Sequence, residues 1–180
     1  MSFYKSFASM KATKISEAIG QVVSGALHFG MRSCEFSKSD EKYPRTKIIR
    51  ICDIKFYDKH GTEVKTSRRK AYMVKLTFIN QKNGVKNEVQ IRYRPTKISS
   101  MNVVFLWAKI VERIESYNES SPVTTINAFE ENGKMKYFSS TSVRKHIKAA
   151  VLIIGEETLG VKSSEIGTRT VRTSYATMLS

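Results

Sequence analysis

AYMVKLTFINQKNGVKNEVQIRY, running from Ala71 to Tyr93, decides the fold. Its first half alternates, with Tyr72, Val74, Leu76 and Phe78 on one side, the period-2 pattern of a strand that turns one face to a core. Asn83-Gly84 follows in the turn Asn80–Gly84, and this dipeptide is the strongest short-range hairpin signal because both residues tolerate a left-handed backbone. Val85 to Tyr93 returns as the partner strand. Upstream, Thr46 to Tyr57 is rich in Ile and Phe, partly alternates and ends at the turn signal Asp58-Lys59-His60-Gly61, which predicts a third strand. The centre of the chain is therefore expected to be a small antiparallel sheet.

Helical periods surround it. Thr13 to Phe29 carries Ile15, Ile19, Val22, Val23, Ala26 and Leu27 at three- and four-residue spacing, and Gly30 offers a stop. Lys38 to Lys47 is polar, contains Pro44 and reads as a loop. After Pro95 the period changes: Met101 to Tyr117 is helical, with Val103, Trp107, Ile110 and Ile114 on one stripe and Lys109 and Arg113 off it. Trp107 in such a stripe reads as core rather than as a base-stacking side chain. Asn118 to Thr141 reads as a long polar loop with one short strand, and Ser142 to Glu156 as a further helix. Leu159-Gly160 closes that unit, Ser163 to Ile166 predicts one helical turn, and Thr168 to Leu179 a last helix. The fold class is a mixed α/β (α+β) domain, mainly helical, with a three-stranded antiparallel sheet inserted early. The 180 residues fit one domain.

Charge narrows the partners. Lys and Arg number 31 against 16 Asp and Glu, a net +15 that favours a polyanion, nucleic acid first. No run of roughly 20 apolar residues exists, so no membrane helix is expected. Met1 to Lys14 lacks the apolar core of a secretory signal, and the protein reads as intracellular, nuclear if eukaryotic and otherwise cytoplasmic. Cys34, Cys52, His28, His60 and His146 have no metal-ligand spacing, so neither a metal nor another cofactor is expected. A glycine-rich phosphate loop is missing, which argues against a bound nucleotide.

Two short arginine motifs lie at opposite ends: Gly30-Met31-Arg32-Ser33-Cys34-Glu35 and Gly167-Thr168-Arg169-Thr170-Val171-Arg172. Two guanidinium groups brought together repel unless an anion lies between them, and phosphate suits the planar fork of arginine. For Arg32 the alternative is a helix-end arginine paired with Glu35 or another carboxylate.

These motifs resemble the catalytic domain of the tyrosine recombinase (phage integrase) family, in particular recombinase-like proteins of eukaryotic mobile elements. In that family a glycine-hydrophobic-Arg-x-x-Glu turn follows a helix, as Gly30 to Glu35 does here. A three-stranded sheet follows with an active lysine in its second turn, where Lys82 stands, and Lys86 lies close enough in the same hairpin to be the counterpart. A His-x-x-Arg box then opens a later helix, aligned with Arg169-Thr170-Val171-Arg172. The resemblance implies that Arg32 and Arg172 hold a DNA phosphodiester while charge builds on its oxygens, with Lys82 as general acid. A tyrosine hydroxyl would attack the phosphorus, keeping the bond energy in a covalent link.

The sequence departs from the family twice. Arg169 stands at the box histidine, and it cannot act as a base near neutral pH, although it shares a helical face with Arg172 and could bind phosphate. The family's nucleophile lies well beyond the box, and Ser180 follows soon after Arg172; Tyr175 is one turn along the same helix and reads as a packed aromatic. The expectation is a C-terminally incomplete, recombinase-derived domain that binds double-stranded DNA, as a single copy or as a homo-oligomer on it, and does not complete strand cleavage. Arg68, Arg69, Lys70, Arg92 and Arg94 are expected on backbone phosphates, or as a solvated basic face. Two other readings stay open: an active strand-transferase taking its tyrosine from another subunit or a longer chain, and a basic RNA-binding structural protein.

Overall fold

Thr13 starts the first helix because its hydroxyl accepts the Ser16 amide, at 3.2 Å, in extended backbone. Helix α1, Lys14–Leu27, then buries Ala18, Ile19, Val22, Val23 and Ala26 along one stripe. The computed structural model describes residues 13–38, 46–81, 83–95 and 102–171. Gly30 takes a left-handed φ of 57° past the end of α1, and the Met31 amide reaches back to the Ala26 carbonyl at 3.2 Å. That bond, with Met31 only 1% exposed, reverses the chain into the single-turn helix α2, Ser33–Phe36.

The two hairpin strands form where the Asn83-Gly84 signal placed them, and a third joins them. Strands β1 (Ile54–Tyr57), β2 (Met73–Asn80) and β3 (Lys86–Tyr93) make one antiparallel sheet in chain order. Val74, Leu76 and Phe78 of β2 are buried, but Tyr72, expected with them, precedes the strand and is 44% exposed. The strand expected from Thr46 is confined to Ile54–Tyr57. Asp53 explains the shortening: its carboxylate accepts the Arg50 backbone amide, Nε and Nη2 at 3.0, 2.9 and 2.8 Å, which coils Ile51–Asp53 into a 3-10 turn. Residues 49–52 instead hydrogen-bond residues 122–126: Ile51 donates to Thr124, Cys52 to Pro122 and Ile126 to Ile49, at 2.9–3.0 Å.

Helix α3, Val103–Glu115, is capped by the Asn102 side chain and packs on α1. Trp107 lies fully buried between them, its indole N–H donating to the Gly25 carbonyl at 3.3 Å and its ring meeting Phe29 edge-on at 5.6 Å. Arg113, expected off the apolar stripe, crosses to other elements: it donates to Gln21, to the Tyr117 hydroxyl and to the Ala128 carbonyl at 2.6–2.9 Å.

The segment read as a polar loop with one strand holds two. Strands β4 (Ala128–Glu131) and β5 (Lys134–Tyr137) pair around Asn132-Gly133, where both residues have positive φ, 53° and 72°. Asn127 is buried and donates to the Phe138 carbonyl at 2.9 Å, closing the base of that hairpin. Helix α4, Ser140–Ile154, is capped by Ser139, and the short α5, Glu156–Leu159, stops at Gly160 with φ 66°. Residues 163–165 form a turn, and 168–171 begin another helix whose Val171 is buried at 4%. One hydrophobic cluster runs from Ala18 to Val171, so the mixed α/β chain shares a single core across the described residues.

Candidate nucleic-acid interface

Arg32 is held from two directions. It is the residue before α2, and its backbone N–H donates to Glu35 Oε2 at 2.7 Å while the Glu35 amide returns to the Arg32 carbonyl at 2.9 Å. That reciprocal pair fixes the turn of the Gly-Met-Arg-x-x-Glu motif with its own glutamate, whose carboxylate caps the Arg32 amide as the glutamate of a capping box does. The guanidinium Nη1 then donates to Glu35 Oε1 and to Gln81 Oε1, each at 3.4 Å. The pairing with Glu35 considered for Arg32 is therefore present. Both contacts are long for a charge-assisted bond, whose usual length is about 2.8 Å.

Gln81 is the residue sequence reading missed. It opens the hairpin turn, is 7% exposed, and donates through Nε2 to Glu88 at 2.9 Å; Glu88 in turn accepts from Gln90 at 2.9 Å. A row of Glu35, Arg32, Gln81, Glu88 and Gln90 thus joins the first arginine motif to the β2–β3 hairpin. The signal was present in β3 itself. Its register pairs Glu88, Gln90 and Arg92 with Phe78, Leu76 and Val74, so β3 turns its polar residues to the core-side face that β2 fills with apolar ones. Lys86 pairs with Asn80 at the turn end of the same ladder and is exposed.

Arg92 lies at the far end of this row. Its Nε donates to the His28 carbonyl at 2.8 Å, and its guanidinium lies 4.9 Å from the Phe29 ring centroid. Burial holds the His28 imidazole below its ordinary value of 6.5, and the Arg92 charge pushes the same way. Arg92 therefore locks the end of α1, which leads directly into Gly30 and Arg32.

Arg68, Arg69 and Arg94, also expected on phosphates, are engaged within the protein. Arg68 donates both Nη atoms to Glu115 at 2.5 and 2.9 Å, and Arg69 bonds Glu112 at 2.6 Å through Nε while facing the Phe105 ring at 5.5 Å. Together they clamp the 3-10 turn Arg68–Lys70 onto α3. Arg94 donates to the Ala71 carbonyl at 3.0 Å and to the Arg69 carbonyl. Lys70 is exposed. Arg169 is exposed on the helical turn 168–171. Lys82, Arg172 and Tyr175 lie outside the described residues.

Among the described residues no group of three His, Cys, Asp or Glu side chains is placed to hold a metal ion. Among them, too, no helix is long and apolar enough to cross a membrane. Set beside known proteins, the chain matches no family model, no curated protein and no solved structure.

Proposed function

We propose that this chain is a duplex-DNA-binding domain of tyrosine-recombinase type, in which Arg32 receives a backbone phosphate. The observation that carries the reading is the contact of Arg32 with Gln81, which sets the first arginine motif against the β2–β3 hairpin turn. The resemblance requires those two to be neighbours although 49 residues separate them. The two 3.4 Å contacts of Nη1 are weak enough for phosphate oxygens to replace them with shorter bidentate bonds. The net charge of +15 supplies the long-range attraction for a polyanion. Arg169 favours binding over cleavage, because a guanidinium at the box histidine position cannot accept a proton near neutral pH.

Fluorescence anisotropy on a labelled duplex tests this across a salt series. Binding should weaken steeply with salt, and Arg32→Ala should flatten the log–log slope by about 0.9 for the one lost phosphate. A salt-insensitive affinity, or an Arg32→Ala slope equal to that of the parent, would overturn the assignment. A duplex carrying a scissile phosphorothiolate should yield no covalent adduct, and an adduct would turn the reading to an active strand-transferase.

A further inference from the structure

The same inversion of β3 that lines the Arg32 row leaves an unusual surface on the other side of the sheet. With Glu88, Gln90 and Arg92 turned inward, the apolar members Val89, Ile91 and Tyr93 face outward at 48%, 37% and 56% exposure. The register sets them beside Thr77, Lys75 and Met73 of β2, and Lys75 and Met73 beside Lys55 and Tyr57 of β1. Lys75 Nζ stands 5.3 Å from the Tyr57 ring centroid, and the Tyr93 ring meets Tyr72, itself exposed, at 5.7 Å and 58°. Among the described residues no paired strand position on this face is acidic, and Glu63, at its border, bonds Lys55 at 3.2 Å.

We propose that this outer sheet face binds single-stranded DNA, with unpaired bases stacked on Tyr93 and Tyr72 and the backbone drawn to Lys75. Three features select that occupant. The exposed Tyr72 and Tyr93 rings suit splayed bases, which a duplex keeps hidden in its stack. A second copy of this chain is disfavoured, because its lysines would meet Lys55 and Lys75 in a molecule already at +15. Between its rings the face is methyl-rich, from Met73, Val89 and Ile91, and Thr77 is the one non-aromatic hydroxyl among the paired strand residues, so a ribose 2′-hydroxyl would gain few partners there and deoxyribose suits the face better. The proposal does not depend on Arg32 or on the hairpin turn.

Anisotropy with a labelled oligo-dT of about 16 nucleotides, the upper end of a single-fold site, reads it directly. Tyr93→Ala should weaken oligo-dT binding about tenfold, and Tyr93→Phe, which keeps the ring, should restore it. Lys75→Ala should lower the log–log salt slope by about 0.7. Duplex affinity should stay unchanged in all three variants, which separates this surface from the Arg32 site, and an unaltered circular dichroism spectrum will show that each folds. The proposal is overturned if Tyr93→Ala binds oligo-dT like the parent, or if oligo-rU binds tighter than oligo-dT. It is equally overturned if sedimentation shows that Tyr93→Ala dissociates a dimer while oligo-dT affinity is unmoved.

Discussion

Replacing Gly25 by alanine sets two opposed effects against each other at one atom. Alanine is the better helix former by about 1 kcal/mol, so a solvent-facing Gly→Ala change in α1 would stabilise the protein. At this position the added Cβ would stand 3.1 Å from Trp107 Cε2, 3.2 Å from Trp107 Nε1 and 3.2 Å from Ile110 Cδ1. Neither neighbour has room to withdraw, since both Trp107 and Ile110 are fully buried. Overpacking of this kind costs about 1–3 kcal/mol, and pushing the indole outward also strains its bond to the Gly25 carbonyl, worth about 1 kcal/mol. The net expectation is a loss of about 2 kcal/mol, or a fall in melting temperature of about 4–8 °C for a domain of this size. Differential scanning calorimetry of Gly25→Ala gives the answer. Gly167 is the control: a Cβ there meets nothing within 4 Å, and alanine should cost under about 1 kcal/mol. A Gly25→Ala protein melting at or above the parent temperature would refute the close packing of α1 on α3.

Two further outcomes follow from the ion pairs and the buried imidazole. A double-mutant cycle on Arg68 and Glu115 by urea denaturation should show coupling of up to about 1 kcal/mol at low salt, because the bidentate pair is only partly shielded from water. That coupling should shrink at about 0.5 M salt, and zero coupling at low salt would mean the clamp on α3 is incidental. His28 is held neutral in the fold, so protonation favours the unfolded chain. Its contribution to stability is complete above the ordinary histidine value of 6.5 and is lost as pH falls below it. The melting temperature should therefore drop between pH ~7.5 and ~5.5, and His28→Gln should flatten that drop; an unchanged slope would remove His28 as its source.

The elements whose signals are local were legible in the sequence. The apolar stripe of α1, the stop at Gly30 and the β2–β3 hairpin all rest on residues a few positions apart. What escaped depends on distant partners. Arg68 and Arg69 read as DNA contacts because Glu115 lies 47 residues from Arg68 and Glu112 43 residues from Arg69, and no spacing rule connects them. The strand expected from Thr46 is cut short by the Arg50–Asp53 bonds, since a three-point clamp on one carboxylate outweighs the β preference of Ile48, Ile49 and Ile51. The β4–β5 hairpin carries the same Asn-Gly signal as β2–β3, but its strands are four residues long and rich in Glu and Lys, which hides the alternation. In the candidate site, Arg32 and its glutamate were legible as a motif. Gln81, Glu88 and Gln90 were passed over because polar residues at the inward period of a strand run against the usual pattern.

The rungs that join residues 49–52 to 122–126 have a consequence for how the protein could be divided. They fasten the stretch ahead of the sheet to the stretch behind α3, so a backbone break anywhere between them would leave two pieces, each with one half of a torn ladder. Neither piece could saturate its own amides, and a break ahead of α3 would also part the two helices that cover the indole. Evolution, or an engineer, could graft new loops onto this molecule more easily than shorten it to a working half.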